Sequence, residues 1–199
     1  MTWWDHQTNS VWSQPWGTAL FGGLEGRSLT QIPSSVVPWG TWLAEHPNAT
    51  VLESEQPIDD VRYRPQTFSQ DFVIGVALLD DAQAFRYRVA SSEEVINDMV
   101  AGFPVGIFVN PATRGIHVYL REPAGQAKDE TVELPEVLTF SKAGLDQVVD
   151  AETGSTWDTV LGAATGGPLR GALLQQLPFQ SAWDWAWEFF FPQTTFYGE

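Results

Sequence analysis

The run Phe72-Val-Ile-Gly-Val-Ala-Leu-Leu79 is continuously apolar over the length of one strand and predicts a strand. Asp80-Asp81 reads as a turn, after which Ala84-Phe-Arg-Tyr-Arg-Val89 alternates as a half-buried strand does. Ser91 and Glu94 have the spacing of a capping box, which predicts a short helix from there to about Met99. Pro104–Val109 and Ile116–Arg121 predict two more strands, and 122–130 a polar excursion between them and the apolar run Val137-Leu-Thr-Phe140. Ala143-Gly-Leu145 and Val148-Val149 continue the strand-like pattern. Toward the end of the chain, Ser181 is placed to cap a helix over Ala182–Phe191, with Trp183, Trp187 and Phe190 on one face and Pro192 as its stop. Read as a strand instead, the same segment puts Trp183, Trp185 and Trp187 on one face.

The pattern repeats. Asp5-His-Gln-Thr-Asn-Ser-Val-Trp12 returns as Asp150-Ala-Glu-Thr-Gly-Ser-Thr-Trp157, and the register holds without a gap from Asp5–Leu52 onto Asp150–Tyr197 at an offset of 145, with 15 of 48 positions identical. Self-similarity over such a length marks a duplicated structural unit. The Asp-x-x-Thr-x-Ser-x-Trp block predicts a hairpin whose turn residue, Asn9 or Gly154, tolerates positive φ. Gly22-Gly23 and Gly166-Gly167-Pro168 then introduce strands over Leu24–Ile32 and Leu169–Leu177. The first copy lacks the front half that precedes the second. The expected organisation is a half unit (1–52), a polar linker (53–70) carrying Pro57 and Pro65, and a complete unit (71–199). The expected fold class is α+β and β-rich, with mainly antiparallel strands in a sandwich or partial barrel and two to three short helices.

Charge narrows the partners. Twenty-five acidic against ten basic residues give −15, which opposes binding to nucleic acid. The acidic residues are mixed with 43% hydrophobic ones, the composition of a folded chain with an acidic surface. The absence of cysteine removes disulfides, thiolate metal sites and a cysteine nucleophile. No stretch has the apolar length of a membrane span, and Met1-Thr-Trp-Trp-Asp lacks the basic and apolar regions of a signal peptide.

Several segments together, Phe72-Val-Ile-Gly-Val, Glu94-Val-Ile-Asn-Asp98, Gly102-Phe-Pro-Val105, Leu138-Thr-Phe140, Gly144-Leu145, the Asp150–Trp157 block, Gly167-Pro-Leu-x-Gly171 and the aromatic segment Trp183–Thr194, resemble the bacterial and archaeal domain of unknown function 3179. The resemblance covers 71–199 in full, and 1–52 resembles the back half of that domain. It implies no established activity. It does imply an extracytoplasmic setting, periplasm or cell surface, because family members resemble exported or lipid-anchored proteins. It also implies a His-Glu-Ile-Val-Asn-Asp segment and a Tyr-Cys-Pro-x-Cys motif, whose His and Cys suit metal ligation or thiol chemistry. Here Glu93 stands at the His position, and Asn110 and Thr113 stand at the Cys positions.

Two sets of candidate residues follow. Glu93, Glu94, Asn97, Asp98, Asn110 and Thr113 form a candidate cleft, with Glu93, Glu94 and Asp98 expected on one short helix. A capping and solvating role competes with any cation site there, and at the family's reactive positions Glu93 with Asn110 and Thr113 offers one carboxylate and two neutral oxygens, which hold a hard cation poorly. No catalytic, cofactor or metal residue is assigned. Asp5 and Asp150 are expected to satisfy turn amides, and His6, His46 and His117 to be structural. The second set is aromatic. Ten tryptophans are many for 199 residues, and Trp3, Trp4, Trp39, Trp183 and Trp185 are candidates for an interface. The leading expectation is a non-catalytic interaction or structural protein, a subunit or accessory of a larger extracytoplasmic assembly, with a protein partner or homo-oligomer and no cofactor. The alternatives are an enzyme or metal/redox protein, and an aromatic-platform carbohydrate-binding module.

Overall fold

The computed structural model describes residues 2–51, 72–129 and 131–199; the linker expected over 53–70 lies outside them. The amino-terminal half unit forms β1 (Thr2–Asp5), β2 (Ser10–Ser13), β3 (Ala19–Phe21) and α1 (Trp39–Glu45). The remainder opens with β4 (Phe72–Leu78), β5 (Asp81–Arg86), α2 (Tyr87–Glu93), β6 (Val95–Val100), β7 (Phe103–Asn110) and β8 (Gly115–Ala124). It continues with β9 (Phe140–Gly144), β10 (Gln147–Asp150), β11 (Thr156–Asp158), β12 (Ala163–Gly166) and β13 (Leu173–Gln176), then β14 (Gln180–Trp183), α3 (Asp184–Phe190) and β15 (Thr195–Phe196). The fold is β-rich; among the described residues there are three short helices, and the ladders are antiparallel except where β15 runs parallel to β5.

Three sheets result. β1-β2-β3 stand alone, β14-β4-β5-β15 form a small sheet, and β6-β7-β8-β13-β12-β11-β10-β9 form a sheet of eight strands that curls almost into a barrel. Its two end strands are joined by a side chain: Asn97 Nδ2 on β6 donates to the Phe140 carbonyl at 2.9 Å, and the Phe140 amide donates back to Asn97 Oδ1 at 2.8 Å. An amide side chain thus reproduces a backbone pair where the ladder stops. Lys142 Nζ, 2.5 Å from Glu94 Oε2, ties the same two ends.

Side-chain alternation on β7 and β8 sorts residues into two cores. Phe108 and Tyr119 point into the barrel with Leu138, Phe140, Val148, Trp157, Leu169 and Leu174. Val105, Ile107, Val109, Ile116 and Val118 point outward against Ile74, Val76 and Phe85 of the small sheet. The far face of that sheet carries Val73, Ala82 and Ala84 and is covered by Trp187 of α3. Gly75 is required there, since a Cβ would lie 2.4 Å from the Trp187 ring.

Some expected boundaries move. The strand expected to Val89 ends at Arg86, because its partner β4 begins at Phe72 and the ladder ends at Val73↔Arg86. The chain then coils as α2, burying Tyr87 and Ala90. The helix expected from Ser91 therefore ends where it was expected to begin. Glu94, at φ 63°, turns the chain into β6, and Ala101 and Gly102, both at positive φ, make the two-residue turn into β7. Ser181 is a ladder residue opposite Ile74, not a cap. Trp183 pairs with Phe72, so α3 starts at Asp184 and ends before Pro192. Trp183, Trp185 and Trp187 share no face: Trp187 is buried and the other two are exposed. Of the strand expected over Leu169–Leu177, Leu173–Gln176 forms, because Leu169–Ala172 closes a turn. In the half unit the same stretch keeps the single bridge Thr18↔Ser28. The apolar run Val137–Phe140 enters its strand at Phe140, while Leu138 fills the barrel.

Candidate functional site

The residues expected in one cleft are dispersed. Glu93 ends α2 and its Oε2 accepts from the Tyr197 hydroxyl at 3.0 Å. Glu94 pairs with Lys142, and Asn97 closes the barrel seam. Asp98 lies on β6, not on a helix with the glutamates, and its Oδ2 accepts from Gln83 Nε2 at 2.8 Å. Asn110 ends β7; its Oδ1 accepts the amides of Ala112 and Thr113, and its Nδ2 donates to Asp146 Oδ1 at 2.8 Å. Thr113 Oγ1 accepts the Gly115 amide within the β7–β8 turn. Only Glu94 and Asn110 of the six line a common cavity, with Lys142 and Asp146, and it measures about 20 Å³. That is room for a water molecule, not a substrate.

The duplicated Asp block forms a hairpin in both copies. Asp150 is buried; its Oδ1 accepts from the Thr153 amide (2.6 Å) and hydroxyl (2.8 Å), and its Oδ2 accepts from the Ser155 amide (3.1 Å) and the Trp157 indole (2.8 Å). In the first copy, Asp5 accepts from the amides of Gln7 and Thr8 and from the Thr8 hydroxyl. Those Thr8 bonds hold the Asp5 carboxyl below the usual carboxylate range. Ser10 and Ser155 then accept the amides of Leu24 and Leu169, at 3.0 and 2.9 Å. Asn9 and Gly154 take the positive φ expected of the turn. These carboxylates organise turns.

The half unit docks across one end of the complete unit. Val36 exchanges backbone bonds with Ile116, and the Ser35 hydroxyl lies 3.1 Å from His117 Nδ1 and within reach of Gln176 Nε2. Burial pushes the His117 imidazole down to about 4, against the opposing pull of Asp146 and Asp158. At the other end of the contact, Gln180 Nε2 donates to the Pro15 carbonyl at 2.9 Å, and the Trp16 indole donates to the Phe190 carbonyl at 2.9 Å.

Between these contacts lies a groove of about 820 Å³, lined by Trp3, Trp16, Leu29 and Ile32 on the half unit and by Phe179, Gln180 and Phe190 opposite, with no charged residue among the described residues that line it. Of the five tryptophans expected at an interface, Trp3 lines it. Trp4 is on the opposite face of β1 and packs on His6, Trp39 is exposed on α1, Trp183 packs edge-on against Phe72, and Trp185 is exposed. The candidate set omitted Trp16, Trp187 and the phenylalanines that also line the groove. Arg121 is the other omission. It is buried and donates to the carbonyls of Val105, Leu138 and Asp98, stitching the barrel at its seam. Its place in strand phase with His117 and Tyr119 was the available clue. Among the described residues there is no group of three His, Cys, Asp or Glu placed to hold a metal ion, and no helix is long and apolar enough to cross a membrane.

No curated protein and no solved structure matches the chain. A family model described as "Protein of unknown function (DUF3179)" matches twice, over residues 1–63 and 57–194. With two successive matches running along nearly the whole chain, the second to the complete domain and the first to part of another copy, this protein belongs to the DUF3179 family.

Proposed function

We propose that this chain is a non-catalytic interaction protein whose binding surface is the tryptophan-bearing side of the half unit and whose occupant is another protein. The observation that carries the reading is the use made of the residues at the positions expected to be reactive. Glu93, Asn110 and Thr113 each hold a neighbouring loop or terminus, and the cavity beside Asn110 admits a single water. Seven of ten tryptophans are exposed, Trp3, Trp4, Trp16, Trp39, Trp42, Trp183 and Trp185, which supports a contact role for the outer surface.

Elemental analysis of the purified, dialysed chain tests it: metal well below one ion per chain is expected, unchanged in Glu93→Ala and Asn110→Ala. One bound ion per chain, lost in either variant, overturns it in favour of a metal or redox protein. A second reading, a carbohydrate-binding module, is favoured by the groove's pairing of Trp3 and Trp16 with the uncharged amides Gln14, Gln31 and Gln180. Saturable quenching of tryptophan fluorescence by an oligosaccharide, abolished in Trp3→Ala, would establish it.

A further inference from the structure

Helical spacing places Trp185 and Phe189 of α3 one above the other, on the side opposite Trp187. Trp187 is buried against the small sheet, whereas Trp185 is 67% and Phe189 73% exposed. Ala186 and Phe190 face the groove, and Asp184 and Glu188 lie on the other flank, away from the half unit. The ring of Phe189 is held edge-on by Phe190. The repeat shows that the fold does not ask for rings on this face. At the offset of 145 the counterparts of Trp185 and Phe189 are Gly40 and Ala44, and α1 forms over the same span as α3. Aromatic groups at positions that glycine and alanine fill without loss of the helix are surface chemistry, not packing.

We propose that this outer face of α3 binds an extended, arginine-bearing segment of a partner protein, its guanidinium groups lying over Trp185 and Phe189 and paired with Asp184 and Glu188. The surface lies in the complete unit, apart from the half unit's, and it extends the interaction reading without resting on it. Charge selects the occupant. Among the described residues neither Asp184 nor Glu188 has a basic partner, so the rings stand beside two uncompensated negative charges. A ring face attracts a cation, and a carboxylate at its rim adds a charge-assisted hydrogen bond. The molecule already contains this arrangement within itself: the Arg86 guanidinium lies 4.2 Å from the centre of the Phe196 ring and pairs with Glu199. α3 presents the same ring and carboxylate chemistry outward.

Spacing makes the segment extended. Residues four apart on a helix have Cβ atoms about 6 Å apart, and alternate residues of an extended chain are about 7 Å apart. An Arg-x-Arg sequence therefore sets one guanidinium on each ring. A second copy is the poorer occupant, because two chains of −15 repel and like faces would bring their carboxylates together. An anionic lipid surface is opposed by the same charges.

The test titrates the isotope-labelled full chain with the peptide acetyl-Gly-Arg-Gly-Arg-Gly-amide and follows the Asp184–Phe190 amides and the Trp185 indole N–H by NMR. Saturable shifts on α3 are expected, half-complete at about 1 mM. The same peptide with citrulline for arginine, neutral but of equal shape, should not produce them. Trp185→Ala should raise the midpoint about 5-fold and Glu188→Gln about 2-fold; both variants should fold, since α1 forms with Gly40 and Leu43 at these positions. Glu25→Gln, which removes an exposed carboxylate from the half unit, should leave the midpoint unchanged. Absence of shifts at ~10 mM peptide, where about nine-tenths would be bound, overturns the proposal. So does an equal response to the citrulline peptide, or a midpoint unmoved by Trp185→Ala, which would mark general attraction to an acidic surface. Shifts of the α3 amides on adding phosphatidylcholine vesicles, or on concentrating the protein alone, overturn it in favour of a lipid surface or a second copy. None of these results bears on the metal analysis, so the failure of this proposal and of the non-catalytic reading are separately visible.

Discussion

Asp5 and Asp150 occupy the same place in two copies of one hairpin but different surroundings. Asp150 is 2% exposed and holds two amides, a hydroxyl and the Trp157 indole, whereas Asp5 is only half-buried. Removing Asp150 strands buried donors, which costs their desolvation in full, while water can replace the carboxylate at Asp5. Asp150→Ala is expected to lower unfolding free energy by about 3 kcal/mol, and Asp5→Ala by clearly less, both read from urea midpoints. His117 adds a dependence on pH. The folded chain resists a proton that the unfolded chain accepts near 6.5, and the folded imidazole titrates at about 4. Its contribution is therefore complete above pH 6.5, is lost as pH falls toward 4, and is constant below. The full loss is about 3 kcal/mol. The difference in stability between the chain and His117→Gln should shrink with falling pH across that window. A pH-independent difference would show that His117 does not set the dependence.

Elements were legible where pairing and periodicity agree. β4, β7, β8 and β10 follow their apolar runs, and the Asp hairpins follow their turn residues. The reading failed between Arg86 and Val100, where local and long-range preferences compete. Ser91-x-x-Glu94 has the local form of a cap, but Val95–Val100 finds six partners on β7, and that ladder decides the conformation. The candidate cleft dissolved with it, since Glu93 and Asp98 were neighbours only on the expected helix. Asn97 carried no mark of its role, because a side chain that imitates backbone is known from its partner alone. Asn97→Ala deletes both bonds of the seam and leaves the Phe140 amide unpaired. A loss of about 2 kcal/mol is expected, with hydrogen exchange at Phe140 accelerated far more than at Val148. Equal acceleration at both would mean that the barrel loosens as a whole.

At the scale of the molecule, the groove could not be read from the chain. It arises where the half unit meets α3, through contacts such as Pro15 with Gln180 that are 165 residues apart. The tryptophans announced a surface, but Trp3 and Trp16 were separated from Trp4, Trp39 and Trp185 by packing alone. The repeat was the more informative feature, since it identifies counterparts such as Trp185 and Gly40 that can be compared within one chain.

β7 and β8 face the barrel with Phe108 and Tyr119 and the small sheet with Val105, Ile107 and Val118. A wall common to two rooms cannot be taken down for one of them. Melting either sheet strips one face of the same hairpin, so the barrel and small sheet lose their cores together. The three-stranded sheet of the half unit shares no strand with them, so it is expected to loosen first, seen as faster hydrogen exchange over Ser10–Ser13 than over Val105–Val109.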